Sequence, residues 1–429
     1  MKLPRVGLYA WGGPGTLRLL NTKYDAPLVD TASFLEMYDD QWLKTAREKV
    51  GATDMWVTYS WGFSDQTEQE DYDYIVDRLP LFQKNNIRTY AYIQGTNLIV
   101  SEFPTEGKKS PFCRDADGQL LPYSRGRAMT CPNNPEAVQI LTDRVTKAAQ
   151  EDFDAIFVDN IFFGLPAWYF RDDMLSFCGC SCEHCQKAFH EEFGYDLPLR
   201  TKRGYKQVRD YLRFRTSKLT QVIQSLSSIA RSAGKEFGVN LYDPFWHTSD
   251  VMFGYNFVEI EPYLDYYLIE NHHLVKGNEH LLPLITSSEK PTFIVSYRKG
   301  IGFDAPFSAQ ELNTWFSNAH DLGFVPCLKA TEYVSRGTWH GLRWEETPVP
   351  EIREERLPPV NIRFKRVRPA SRLGRIFVPI IDRILPSCIR TYYESAKVFC
   401  FVNRLGLYQR MMHSPRLFEE FLSETVTEP

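Results

Sequence analysis

Two groups of residues in this chain have types and spacing suited to chemistry. The first is a run of thiols, Cys178-Gly-Cys180-Ser-Cys182-Glu-His184-Cys185. Soft thiolates at such spacing fit a tetrahedral Zn²⁺ site, and a closed four-ligand shell pins a loop without offering a position to water or substrate. The fourth ligand is open at this point between Cys178, His184 and the distant Cys131. The second group is a scatter of acids, amides and aromatics that end apolar runs: Trp11, Tyr59, Trp61, Tyr92, Gln94, Asp159, Asn160, Tyr242, Asp243, Trp246, Glu270, Asn271, His272, Tyr297, Lys329 and Glu332. Such a mixture suits a sugar, which offers a C–H face for stacking and hydroxyls for hydrogen bonds. Breaking a glycosidic bond takes one group to protonate the departing oxygen and a second carboxylate to attack or to activate water. Asp159 directly follows Ala-Ile-Phe-Val, where a charge is costly unless it emerges into a pocket, so it is the first candidate for nucleophile or electrostatic stabiliser. Asp243 and Glu332 are reserve acids. His247, His272 and His273 suit sugar hydroxyls better than a catalytic metal, because adjacent strand residues point to opposite faces.

Positioning these groups needs a scaffold that brings many strand ends to one place. Eight strand-like runs alternate with helical stretches, the pattern of parallel strands joined by crossover helices. They begin at Val6, Asp54, Ile87, Ala155, Phe237, Leu264, Pro291 and Phe324. Each starts apolar and turns polar or aromatic at its end, as barrel strands do where they emerge at the carboxyl-end mouth. The expected fold is therefore α/β, a (β/α)₈ TIM barrel over residues 1–345. A long, Pro- and Gly-bearing connection after the third strand, roughly 96–134, reads as an excursion that helps to close the mouth. A cysteine-rich zinc loop follows the fourth strand. Residues 346–429 form a proline-marked linker and a small basic, mostly helical extension.

Charge and composition narrow the classes further. The 429 residues include 43% hydrophobic and 14% aromatic side chains, a folded and aromatic-rich composition. Net charge is −4, yet residues 352–416 hold 14 Lys/Arg against 4 Asp/Glu, leaving the rest at −14. That basic segment is expected to pack on the barrel, with pairing in a homo-oligomer or weak contact with an anionic membrane surface as the other uses. No stacking platform accompanies the charge, which argues against nucleic acid. The amino-terminal residues carry no signal-like apolar run, which gives an expectation of cytoplasmic residence.

Over roughly residues 85–245 the chain resembles the family-42 β-galactosidases, in which Cys-x-Cys-x-x-Cys after strand four joins an earlier Cys-Pro-Asn to bind zinc. The matching residues are Cys131-Pro-Asn and Cys180-Ser-Cys182-Glu-His-Cys185. The resemblance implies a single structural Zn²⁺ held by Cys131, Cys180, Cys182 and Cys185, with no organic cofactor. The catalytic pattern departs from that family, whose strand four ends Asn-Glu and whose strand seven supplies a second Glu. Here strand four ends Asp159-Asn160 and strand seven ends Ser296-Tyr297-Arg298-Lys299. A strand-four Asp instead resembles the α-galactosidase clan and uncharacterised hydrolase-like barrels, which implies Asp159 as nucleophile and Glu270 near strand six as acid/base. The expected function is a glycoside hydrolase or transglycosidase acting on an oligo- or polysaccharide. The missing strand-seven carboxylate leaves an alternative, a catalytically inactive carbohydrate-binding barrel in a polysaccharide-handling assembly.

Overall fold

The computed structural model describes residues 5–10, 13–24, 35–124, 126–164, 179–197, 205–242, 253–270, 288–296 and 316–328. In chain order the strands are β1 (Val6–Ala10), β2 (Ala52–Ser60), β3 (Arg88–Gln94), β4 (Asn97–Ile99), β5 (Pro122–Ser124), β6 (Arg127–Met129), β7 (Ala155–Asp159), β8 (Glu236–Tyr242), β9 (Tyr267–Glu270), β10 (Thr292–Ser296) and β11 (Val325–Leu328). Eight of them, β1–β3 and β7–β11, close into one all-parallel barrel, and each coincides with one of the eight apolar runs. The remaining three form a small antiparallel sheet in the order β4-β6-β5, which lies in the excursion after β3. Among the described residues no helix is long and apolar enough to cross a membrane.

The pairings set the layering of the barrel interior. Followed from Gly7, one way through Asp54 and Arg88 and the other through Cys327, Val295, Glu270 and Tyr242, the two registers reach β7 eight residues apart. That shear puts inward side chains in layers of four, drawn from alternate strands. Trp56, Phe157, Leu268 and Cys327 make one layer. Tyr9, Tyr92, Asn240 and Val295 make the next toward the carboxyl ends, and Thr58, Asp159 and Glu270 share the layer above that. The interior is unusually aromatic, with Trp56 stacked on Tyr90 at 4.2 Å and edge-on to Phe293 at 4.8 Å. Glycine makes room for it: a Cβ at Gly238 would come within 2.5 Å of the Tyr266 ring.

The amino-terminal end of the barrel is plugged by an ion pair. The Arg5 guanidinium donates to Asp54 at 2.7 and 2.9 Å, and Tyr90 Oη donates to the same carboxylate at 2.8 Å. Outside, helices carry apolar stripes at three- and four-residue spacing. In helix Pro135–Ala149 the apolar stripe of Ala137, Leu141, Val145 and Ala148 is buried together with Arg144 and Ala149, and Asn134 caps the first turn by accepting from Glu136 N at 3.0 Å.

Candidate active site

Asp159 ends β7. The alternation that sends Ile156 and Val158 to the helix layer turns Phe157 and Asp159 inward. Its side chain is almost wholly covered, the residue being 2% exposed, and it accepts from Asn160 Nδ2 at 2.5 Å and from the Tyr92 hydroxyl. Burial, and then the neighbouring Asp159 charge, push the Tyr92 phenol well above its ordinary range, so this hydroxyl keeps its proton and acts as a fixed donor. The chain turns sharply at Asn160, whose φ of 51° is left-handed, a conformation that asparagine tolerates better than most residues. Gly95 N donates to Asp159 O at 2.6 Å, and a Cβ at Gly95 would lie 2.5 Å from that oxygen. The ends of β3 and β7 thus touch backbone to backbone because position 95 has no side chain.

Glu270 ends β9, is 6% exposed, and pairs in register with Tyr242 on one side and Val295 on the other. It shares a layer with Asp159. Only β8 lies between their strands, so their backbones are about 10 Å apart and inward carboxyls close most of that gap. On β8, Asn240 occupies the layer just beneath, and sequence reasoning did not single it out.

The small sheet roofs this end of the barrel. Arg127 on β6 donates from Nη2 to Trp61 O at 2.9 Å and packs over the Tyr123 ring at 5.5 Å. Burial draws its guanidinium down, while Tyr123, Tyr92 and Asp159 pull it back up. Trp61 packs on Tyr92 at 4.9 Å and donates its indole N–H to Thr16 at 3.0 Å. Beneath the β2 turn the buried Glu68 accepts from Ser60 Oγ and Trp61 N, both at 2.6 Å, from Tyr72 Oη at 2.8 Å and from Phe63 N at 3.2 Å. Arg127 and Glu68 carry no signal in the sequence, because their roles come from contacts between distant segments.

Four of the predicted thiols do come together. The Sγ atoms of Cys131, Cys180, Cys182 and Cys185 lie within 4.8 Å of one another and all four residues are buried. Individual separations of 3.3 Å for Cys131–Cys185 and 3.6 Å for Cys131–Cys182 compare with about 3.8 Å between sulfurs around a tetrahedral zinc. N–H groups already point at the sulfurs: Arg114 N and Cys182 N donate to Cys180 at 3.3 and 3.4 Å, Asn133 N to Cys131 at 3.4 Å, and Asn133 Nδ2 to Cys185 at 3.3 Å. Burial opposes thiolates here, and hydrogen bonds within the cluster split the thiols, drawing Cys131 and Cys180 below their ordinary range while Cys182 and Cys185 are pushed above it. The donor set can hold a metal ion. Cys131 closes the excursion after β3 and the other three follow β7, so the cluster ties the segment that leaves β3 to the one that follows Asp159 on β7. A fifth buried thiol, Cys113, sits beside Cys131 and Cys180.

Of the predicted lining residues, Trp61, Tyr92, Gln94, Asp159, Asn160 and Glu270 gather at the mouth. Tyr242 sits at the end of β8 as the register partner of Glu270. Tyr59 does not line the mouth: its ring stacks on Tyr72 at 4.6 Å and meets Phe153 edge-on, in the helix layer. Both faces of β2 are buried, so nothing in its sequence marks which alternate residues point inward. Trp11, Asp243, Trp246, Asn271, His272, Tyr297, Lys329 and Glu332 lie outside the described residues, as do Cys178, His247, His273, Arg298 and the basic segment.

No protein-family model and no curated protein matches the sequence. Solved structures do match in fold. A β-galactosidase from the psychrophilic Marinomonas ef1 aligns over 77% of this chain and 54% of its own, at 12% identity and a TM-score of 0.50. The PgaB (BpsB) glycoside hydrolase domain from Bordetella bronchiseptica aligns over 66% of this chain and 85% of its own, at 11% identity and a TM-score of 0.49. This chain spans about half the length of the β-galactosidase, and at such identities the likeness is one of fold: a closed, all-parallel TIM barrel.

Proposed function

We propose that this barrel is a glycoside hydrolase or transglycosidase whose catalytic pair is Asp159 and Glu270. The observation that carries the reading is that two buried carboxylates share one layer of the barrel mouth, at the carboxyl ends of β7 and β9. Every well-studied barrel enzyme uses that end of the strands for its chemistry. Asp159, held by the Tyr92 hydroxyl and by Asn160 Nδ2, suits the group that stays charged, as nucleophile or as stabiliser of an oxocarbenium-like transition state. Glu270 takes the proton-transfer role at the departing oxygen. Trp61 and Tyr92 supply the aromatic surface.

We read the four-thiolate cluster as a structural Zn²⁺ site. A bound zinc would supply a rigid tetrahedral crosslink and no open coordination position. Cys131, Cys180, Cys182 and Cys185 would hold it, and the N–H donors from Arg114, Cys182 and Asn133 would fix the sulfurs, the kind of outer-shell support metal sites use.

The test compares wild type with Asp159→Asn on a panel of aryl glycosides and glycan fragments. Turnover should fall by at least about 10³-fold with the circular dichroism spectrum unchanged. The second reading, a binding barrel without catalysis, rests on β10 ending at Ser296 with no carboxylate in Thr292–Ser296. It predicts glycan binding by both proteins and product from neither.

A further inference from the structure

Among the described residues, Asn240 is a buried side chain of the barrel interior with both of its polar atoms unused by the fold. It lies on β8, the strand between those of Asp159 and Glu270, and is 0% exposed. Neither Oδ1 nor Nδ2 has a hydrogen-bond partner. Its layer mates are Tyr9, Tyr92 and Val295, and its register partner on β9 is Leu268, so apolar and aromatic groups dominate its surroundings. Leaving a buried amide unsatisfied is expensive, and native proteins rarely do so without a reason. A leucine of nearly the same size would fit the aromatic interior without that penalty. The layers of a barrel are offset by about 3 Å along the strands, which places an amide rooted one layer down within reach of the level of the two carboxylates.

We infer that Asn240 is a substrate-recognition residue: its amide rises from the floor between Asp159 and Glu270 and hydrogen-bonds a hydroxyl of the sugar ring seated there. A carboxamide both donates and accepts, as a hydroxyl does, whereas a phosphate or carboxylate would leave its N–H₂ served and its oxygen opposed. The ligand class is accordingly a neutral, hydroxyl-bearing pyranose or furanose at the bond being cleaved. The inference rests on the Asp159–Glu270 reading for the place of the ligand, but not for whether that ligand is cleaved.

The experiment uses full-length wild type, Asn240→Leu, Asn240→Ala and Asp159→Asn. Each is measured for thermal midpoint without ligand, and for affinity and turnover with the neutral members of the glycan and aryl-glycoside panel. Asn240→Leu should melt about 3 °C or more above wild type, since an unpaired polar group has been replaced by an apolar one. Both Asn240 variants should bind the best wild-type ligand at least about tenfold more weakly, the loss of one hydrogen bond in a dry site. If both variants melt below wild type while affinity holds, the amide is partnered by buried water and the inference is overturned. It is also overturned if wild type binds no neutral sugar at millimolar concentration. Cleavage that depends on Asp159 but not on Asn240 would retain the catalytic reading and remove this one. Binding that depends on Asn240 without any cleavage would do the reverse.

Discussion

At the scale of single residues, Asp159 is held by two donors, the Tyr92 hydroxyl and Asn160 Nδ2. Tyr92→Phe keeps the ring that packs against Tyr9, Trp61 and Phe157 but deletes a hydroxyl that serves a buried carboxylate. A hydrogen bond to a charged group contributes about 1.5–3 kcal/mol, so kcat should drop roughly 10- to 100-fold in steady-state assays while the fold persists. Unchanged kcat would mean that the hydroxyl does not support the reacting form. Asp159 itself was legible in the sequence because a lone charge after four apolar residues is a local anomaly. Glu270 was legible only with a resemblance beside it. Asn240 was missed although it too interrupts an apolar run, in Phe-Gly-Val-Asn-Leu-Tyr, because its importance follows from the layer it occupies and from having no partner. The misplacement of Tyr59 has a similar cause: inward and outward residues of a strand buried on both faces share the same chemistry, and only the register tells them apart.

Between elements, two ties can be tested. The cysteine cluster joins the end of the excursion to the loop after β7, and Ser181 N donates to Arg114 O at 2.8 Å across the same junction. Purified protein should contain about one zinc per chain by elemental analysis, and Cys182→Ser should contain less. Chelation should open residues 96–134 to limited proteolysis while the barrel strands stay protected. Well-folded protein with no bound metal would refute the zinc assignment. The second tie is Asp71 with Arg18, between helices Asp65–Val76 and Pro14–Tyr24. Burial pushes the Asp71 carboxyl up to about 6, with Arg18 pulling the other way. A carboxyl whose folded value lies above its unfolded one stabilises most when protonated. Its contribution is therefore full below about pH 4 and is lost by the time pH has passed about 6, a change of about 2 kcal/mol. Thermal midpoints measured from pH 4 to pH 7 should show Asp71→Asn gaining on wild type as pH rises, and parallel curves would contradict this. The sequence displayed the elements themselves, since period and capping are local, but not these ties. Arg18 and Asp71 are 53 residues apart and meet only through packing.

For the molecule as a whole, one barrel separates stability from function along its axis. The amino-terminal end is sealed by Arg5, Asp54 and Tyr90, and the aromatic layers above it make the core. Asp54→Ala would strand Arg5 and the Tyr90 hydroxyl, and should cost about 3 kcal/mol in denaturant unfolding without changing the ratio of kcat/KM values among substrates. A loss of specificity there would show that the two ends are not independent. The carboxyl-terminal end carries buried charge and an unsatisfied amide, a trade of stability for function that active sites commonly make. The most direct test of the central claim is product release from the glycan and aryl-glycoside panel by wild type and Asp159→Asn, measured side by side at equal protein folding. Cleavage by wild type that is abolished in Asp159→Asn is the result predicted. Equal cleavage by the two proteins, or sugar binding by both with product from neither, would contradict it.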